Sequence, residues 1–326
     1  MYTHLTNKKL SSGEPFEIGV VQTPDKAYET LIKTLLGHKP HNYQWHLDHA
    51  FADQIDGLET RFYLGLLNSE PICNIMTVEY MGIGILGHVY TFPAYRRKGA
   101  CRLVMTEQML DFKGRGGKYL TLGTGYNTPP FWIYHSFGFR GVLPNSGHMK
   151  YKAHETIESD YFARGKAHII SPDWKSWPGL NVLCSQHDLP LIRNIALGHV
   201  GPSNYEGGYI SLLESISTQS NIYARILVSE DGSITGYATI IPDSRWQAEV
   251  HLLDCFVHPE YKDYGHLLIK SLPLPDNIKV QCYTDVEADW KIAALLEEGF
   301  DHEATFRNHI KQKDQLIDVE VYTRRV

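Results

Sequence analysis

Polar and apolar positions along the chain fall into two runs of similar pattern. In the first, FEIGVVQ (16–22) predicts a strand and DKAYETLIKTLLG (25–37) an amphipathic helix stopped at Gly37. HNYQWHLDHAFADQ (41–54) predicts a second helix. RFYLGLL (61–67) and ICNIMTVEY (72–80) predict two strands joined by the turn signal NSEP. IGILGHVYTF (83–92) predicts a long strand that Pro93 ends. Residues 99–112 predict a helix without a clean apolar stripe, and YLTLGTG (119–125) a short strand. FWIYHSF (131–137) predicts a helix opened by Pro129 and Pro130 and ended by Gly138.

The second run follows the same order. SWPGLNVLCS (176–185) reads as a strand, DLPLIRNIALGH (188–199) as a helix and EGGYISLLESI (206–216) as another helix. YARILVS (223–229) and ITGYATIIP (234–242) form a hairpin across EDGS, and EVHLLDCFVHP (249–259) is a long strand. YKDYGHLLIKSL (261–272) reads as a helix, IKVQCYT (278–284) as a strand, EADWKIAALLEEGF (287–300) as a helix and DVEVYTRR (318–325) as a last strand. Two anchors fix this internal repeat. FPAYRRKG (92–99) lies over HPEYKDYG (258–265), and YHSFGF (134–139) over LLEEGF (295–300). The joint falls in the polar stretch AHETIESDYFARGKAH (153–168), which predicts domains at 1–155 and 156–326.

A length of 326 residues suits two cores rather than one. The formal charge of −6 argues against a general nucleic-acid binder. That charge is uneven: residues 1–155 hold 16 Lys and Arg against 13 Asp and Glu, and the remainder 15 against 24. The balances of +3 and −9 place an anionic ligand with the first half. Five scattered cysteines without a CxxC pair suit reduced thiols in a cytoplasm. The histidines lack a ligand spacing, so no metal is expected, and no apolar run predicts a signal peptide or a membrane span.

The stretch TFPAYRRKGACRLVM (91–105) clusters Arg96, Arg97, Lys98 and Arg102 around Gly99 at the mouth of a predicted helix. Such a turn holds an anion on backbone N–H groups, or else is a solvated surface turn. It is not a Walker loop, because in the nearby GRGGKY the first motif glycine would fall at Phe112. GRGGKY reads as a flexible turn. The dinucleotide fingerprint GxGxxG is also absent around residue 99.

The element order, the run Arg96-Arg97-Lys98-Gly99-Ala100-Cys101 and the later WIYHSFGF together resemble the GNAT superfamily of acyl-CoA-dependent N-acyltransferases. Thr91 stands where that family's lead-in has Val, and Cys101 where it has Gly or Ala. The resemblance implies an α/β fold (α+β by some schemes) of two tandem GNAT-like domains, each a mixed, mostly antiparallel sheet flanked by helices. It implies acetyl-CoA, or another acyl-CoA, as co-substrate. Backbone N–H groups from Arg97 to Arg102 would hold the pyrophosphate, with the side chains of Arg96, Arg97, Lys98 and Arg102 screening it. Val89, Tyr90 and Thr91 would line the pantetheine arm, where a backbone N–H can polarise the thioester.

Tyr134 stands where the family places the acid that protonates the leaving thiolate, although core packing is the reading of its helical spacing alone. The general base is left open among Glu79, His88 and water. His88 points away from the substrate face if its strand is regular and toward it if the strand bulges. The second repeat carries Asp263 in its turn, Leu267 after it and Leu295 in place of the tyrosine, so its acyl-CoA site is expected to be lost. The function implied is acyl transfer to an amine, a small molecule, with the second domain enclosing substrate or serving structure. A non-catalytic acyl-CoA sensor and other acyl-CoA chemistry are the alternatives. Oligomeric state is left open.

Overall fold

The structure is a computed structural model that describes residues 1–53, 55–187, 190–246, 249–275, 277–285, 288–312 and 315–325. Contacts divide the chain into two compact units. The first is Met1–Ile157 with Trp177–Asn181, and the second is Glu158–Ser176 with Val182–Val326. Each is a mixed, mostly antiparallel sheet flanked by helices.

Unit 1 runs β1 (Tyr2–Lys9), β2 (Pro15–Gln22), α1 (Lys26–Leu35), α2 (His41–Ala52), β3 (Glu59–Leu67), β4 (Glu70–Tyr80) and β5 (Ile83–Thr91). After a 3-10 turn at Pro93–Tyr95 come α3 (Ala100–Gly114), β6 (Tyr119–Gly123), α4 (Pro129–Ser136), β7 (Arg140–Gly141) and β8 (His148–Lys152). The sheet order is β1-β2-β3-β4-β5-β6-β8-β7. Strand alternation gives it two apolar faces. On one, Ile18, Tyr63, Ile75, Leu86 and Leu120 share a core with Val104 and Met105 of α3 and Phe131 and Tyr134 of α4. On the other, Phe62 stacks on Phe51 of α2 with ring centroids 5.6 Å apart. The Asp25 side chain accepts from the Ala27 N–H at 3.0 Å and so caps α1.

Two features of β5 shape this unit. Its pairing with β6 is parallel and short, with Ile83, Gly84 and Ile85 against Tyr119, Leu120 and Thr121. Beyond Ile85 the two strands part. Toward its other neighbour β5 carries a bulge: Asn74 faces Tyr90 and Met76 faces Gly87, so His88 and Val89 together oppose Ile75. His88 takes φ +50°, a left-handed conformation uncommon for a residue with a side chain.

Unit 2 begins within α5 (Ile157–Tyr161) and continues through β9 (Ala167–Ile170), α6 (Ser176–Cys184), β10 (Ile192–Asn194), β11 (His199–Val200), α7 (Glu206–Thr218), β12 (Tyr223–Ser229), β13 (Ile234–Pro242) and β14 (Val250–Val257). A 3-10 turn at Pro259–Tyr264 runs into α8 (Gly265–Lys270), followed by β15 (Lys279–Asp285), α9 (Asp289–Glu297), β16 (Asp301–Gln312) and β17 (Gln315–Arg325). The main sheet order is β16-β17-β15-β14-β13-β12-β9. Its parallel pair, β14 with β15, is again three residues long: Val250–Leu252 against Lys279–Gln281.

Two expectations from the pattern are corrected here. Residues 176–184 are helix α6, not a strand. Asp173 accepts from the Ser176 N–H at 3.0 Å and from its hydroxyl at 2.6 Å, which starts a helix, and Pro178 is tolerated in a first turn. The helix expected over 188–199 is instead β10 and a turn, with 188–189 outside the described residues. The helix expected from 287 begins at Asp289, and 287 also lies outside them. Strands β1, β8, β9 and β16 were not expected, because they are short or polar. In β16 most of the twelve residues are exposed, so it carries no alternation to read.

The segment 190–199 fails as a helix because its backbone is used elsewhere. The Leu191 and Ile192 N–H groups donate to Asp285 Oδ2, and those of Ile195 and Ala196 to the two Asp254 oxygens at 2.8 and 3.1 Å. Arg193 is fully buried; its guanidinium donates to the carbonyls of Cys184 and Gln186 and lies 4.7 Å over the Phe256 ring. β10 packs against both β14 and β15. It therefore fills the space that opens where those strands diverge. Burial raises the Asp254 pKa, while Lys291 and the two backbone donors oppose that rise. Asp254→Ala should leave two backbone donors without an acceptor and cost about 3 kcal/mol. Urea unfolding of the variant checks this, and an unchanged midpoint would contradict it.

Candidate functional site

The site in unit 1 is built at the open end of β5. The chain leaves Thr91, makes the Pro93–Tyr95 turn and enters α3 through two left-handed residues, Arg97 at φ +62° and Gly99 at φ +85°. Only Gly99 takes that conformation without steric cost. A Cβ built on Gly99 would meet nothing within 4 Å, so the space above it is open. α3 has no side-chain cap. Its first N–H groups, at Ala100, Cys101 and Arg102, lack intrahelical acceptors and sit at the positive end of the helix dipole.

The four cations divide their roles. Arg96 Nε donates to the Thr91 carbonyl at 3.0 Å and ties the turn to the strand end. Lys98 pairs with Glu14 at 3.3 Å and lies over the Tyr95 ring. Arg102 lies over the Phe137 ring, 5.9 Å from its centroid, at the C-terminal end of α4. Arg97 is exposed and has no partner among the described residues. Cys101 is accommodated beside Cys73, whose Sγ accepts from Thr91 Oγ1 at 3.2 Å. The turn, β5 and α4 meet in one core, because Val89, Ala100, Cys101 and Tyr134 belong to the same cluster.

The bulge turns His88 toward α2. Its ring meets Tyr43 edge-on at 4.7 Å, and the next residue on that face, Tyr90, packs on His38 at 4.4 Å. His88 is 5% exposed, and its Nε2 has no partner among the described residues. Burial, with Lys39, His46 and His38 nearby, pushes its pKa well below 6.5, so the ring is neutral. Asn74 pins the bulge: its Nδ2 donates to the His88 carbonyl at 2.9 Å. Asn74 was missed in the sequence, although an asparagine inside the apolar run ICNIMTV is itself out of pattern. On β6, Thr121 ends the paired segment and accepts from Asn181 Nδ2 at 2.6 Å.

Glu79 does not reach this place. It lies opposite Gly84, at the far end of β5, 3% exposed. Arg115 holds both its oxygens, at 2.7 and 3.0 Å, and Thr77 Oγ1 donates to it at 2.6 Å. Its candidacy as a base is withdrawn, since an arginine-bound carboxylate has no free lone pair aimed at a substrate. The same contact gives GRGGKY a role beyond a flexible turn, because its Arg115 is the partner. Tyr134 is 6% exposed, with its ring 6.2 Å from Phe139, and α4 ends at Gly138 with φ +96°.

Unit 2 presents a different turn. Gly265 has helical φ, and a Cβ there would lie 2.2 Å from Trp290, so the approach to α8 is filled. Asp263 pairs with Arg164 at 2.7 Å. Among the described residues no three His, Cys, Asp or Glu side chains group to hold a metal, and no helix is long and apolar enough to cross a membrane.

No protein-family model matches the chain, and no curated protein matches it. Solved structures of GNAT-family acetyltransferases do match, each over about half of it. One from Streptococcus pneumoniae is 14% identical, covers 49% of this chain and 100% of its own, and has a TM-score of 0.39. An N-acetyltransferase from Staphylococcus aureus is 16% identical over 49% of this chain and 99% of its own, with a TM-score of 0.38. A ribosomal-protein-S5-alanine acetyltransferase from Vibrio fischeri is 11% identical over 48% and 92%, also at 0.38.

The buried histidines make unit 1 sensitive to acid. Burial lowers the His46 pKa from 6.5 to about 3 and that of His88 well below 6.5. A histidine depressed in the folded state stabilises fully above its unfolded pKa, and that contribution is lost as pH falls from 6.5 toward 3. Between pH 7 and pH 5, His46 alone should account for about 2 kcal/mol of lost stability. Denaturant unfolding at the two pH values checks this, and His46→Phe should flatten the dependence. An equal loss in that variant would contradict the assignment.

Proposed function

We propose that unit 1 is an acyl-CoA-dependent N-acyltransferase that uses acetyl-CoA and acylates a small-molecule amine. One observation carries the reading: a single strand, β5, has an uncapped, open turn at Arg97–Arg102 at one end and, at its bulge, a buried, neutral His88 whose Nε2 has no partner among the described residues. The edge between them is left unpaired by β6. An extended anionic ligand fits that edge.

The roles follow from the geometry. The N–H groups of Ala100, Cys101 and Arg102 bind the pyrophosphate, with Arg97 as the free cation beside them. Val89, Tyr90 and Thr91, half-buried, line the pantetheine arm. The amine nitrogen attacks the thioester carbon, forming C–N and breaking C–S. His88 Nε2 takes the proton the amine loses, and Tyr134 gives one to the departing thiolate, so amide and free CoA result. His88 lies almost wholly out of solvent beneath α2, which favours a small acceptor over a broad protein surface. Unit 2 binds no acyl-CoA of its own, since β10 and Trp290 occupy the places it would need there.

Release of free CoA from acetyl-CoA, with and without amines, tests the reading. Tyr134→Phe keeps the ring and removes the hydroxyl, so kcat should fall on the order of 10²-fold with acetyl-CoA affinity unchanged. Because His88 is already neutral at pH 6.5, the kcat/KM profile should show no acid limb at that ordinary histidine value. Tight acetyl-CoA binding without turnover on any amine would make the protein an acyl-CoA sensor instead.

A further inference from the structure

The bulge holds a second unpartnered buried atom. Asn74 is fully buried, and its Nδ2 donates to the His88 carbonyl. A carbonyl can only accept, so this contact fixes which way the amide points. Asn74 Oδ1 is then the acceptor left over, and it has no partner among the described residues. A buried acceptor without a donor costs about 1–3 kcal/mol, so Oδ1 calls for a donor from outside the chain, a water or a ligand N–H.

His88 Nε2 is unpartnered at the same bulge. Both side chains lie on the sheet face beneath α1 and α2: Asn74 pairs with Tyr90, whose ring meets His38, and the His88 ring meets Tyr43 of α2. Neither belongs to the core on the opposite face. The bulge thus presents one amide oxygen that accepts and one imidazole nitrogen that accepts when the proton sits on Nδ1, with Asn74 and His88 joined to each other through the backbone.

We infer that Asn74 Oδ1 binds one N–H of the acceptor amine while His88 Nε2 binds the other, so that Asn74 orients a primary amine for attack. This rests on the acyl-transfer reading of unit 1. A deprotonated primary amine has two N–H groups and one lone pair. With both N–H groups held, the lone pair has one direction left, toward the thioester carbon. When the C–N bond forms and C–S breaks, the proton on the His88 side moves to Nε2, and the proton on the Asn74 side stays on the amide product. A secondary amine can satisfy only one of the two acceptors. It must leave either Asn74 Oδ1 unpaired or His88 without its proton.

Methylamine and dimethylamine are the probes, because both are small enough to enter any pocket and their basicities are close. Free dimethylamine is the better nucleophile, so a preference for methylamine must come from the protein. CoA release from acetyl-CoA by the full chain should be at least about tenfold faster with methylamine at equal concentration. Asn74→Leu, which removes both the acceptor and the donor that pins the bulge at similar volume, should slow methylamine by a similar factor and bring the two rates together. If Asn74 only pinned the bulge, both amines would suffer equally and their ratio would stay. Equal rates in the unaltered protein, or an unchanged ratio in the variant, overturn the assignment of Asn74 alone. The first of these needs no variant to fold. Acetyl-CoA binding with no release by either amine overturns the acyl-transfer reading as well.

Discussion

A parallel strand pair that lasts three residues and then divides is the constraint on which both units depend. Past Ile85 in unit 1 and Leu252 in unit 2, the inner edges of two strands separate inside a folded domain. Their peptide groups need partners, because a backbone N–H or carbonyl withdrawn from water and left unpaired is costly. The two units meet the same demand differently. Unit 2 inserts its own chain, residues 191–196, anchored by Asp254, Asp285 and the buried Arg193. In unit 1 the edge of β5 from Val89 to Thr91 is half-buried and leads into the turn before α3, whose N-terminus has no side-chain cap. Unit 2 thus fills the divergence with its own chain, whereas in unit 1 β6 leaves the β5 edge beyond Ile85 without a strand partner.

The open cleft concentrates its unusual backbone at the two ends of a few residues. His88 and Arg97 both sit at positive φ without being glycine, and such strain persists where surrounding contacts enforce it. At His88 the enforcing contact is the Asn74 amide on its carbonyl. At Arg97 the turn is held by Arg96 on Thr91, and at Lys98 by the Ser11 N–H donating to its carbonyl at 3.0 Å. The electrostatics differ along the strand. The turn gathers cations and a helix dipole, whereas the bulge buries a neutral imidazole.

Most of the repeat was legible because strand–turn–helix punctuation is local. Gly99 and Gly138 sit where the chain needs left-handed backbone, and a sequence shows glycine directly. The bulge was not legible in the same way. It is a matter of register between β4 and β5, and one inserted residue leaves no mark except an asparagine in an apolar run. Residues 190–199 misled for another reason: a segment buried on all sides looks equally apolar as helix or as strand, and the deciding partners, Asp254 and Asp285, are more than fifty positions away. Glu79 stayed among the candidate bases because its partner, Arg115, belongs to a turn that reads as flexible.

An unpaired β5 edge in unit 1 and a filled one in unit 2 are tested most directly by calorimetric titration of acetyl-CoA into the full-length protein. The account predicts one site per chain, abolished by Gly99→Glu. The new Cβ meets no neighbour although φ +85° strains it, and the carboxylate would face the phosphate at the N-terminus of α3. Two sites per chain, or one that survives Gly99→Glu in a folded variant, would contradict it.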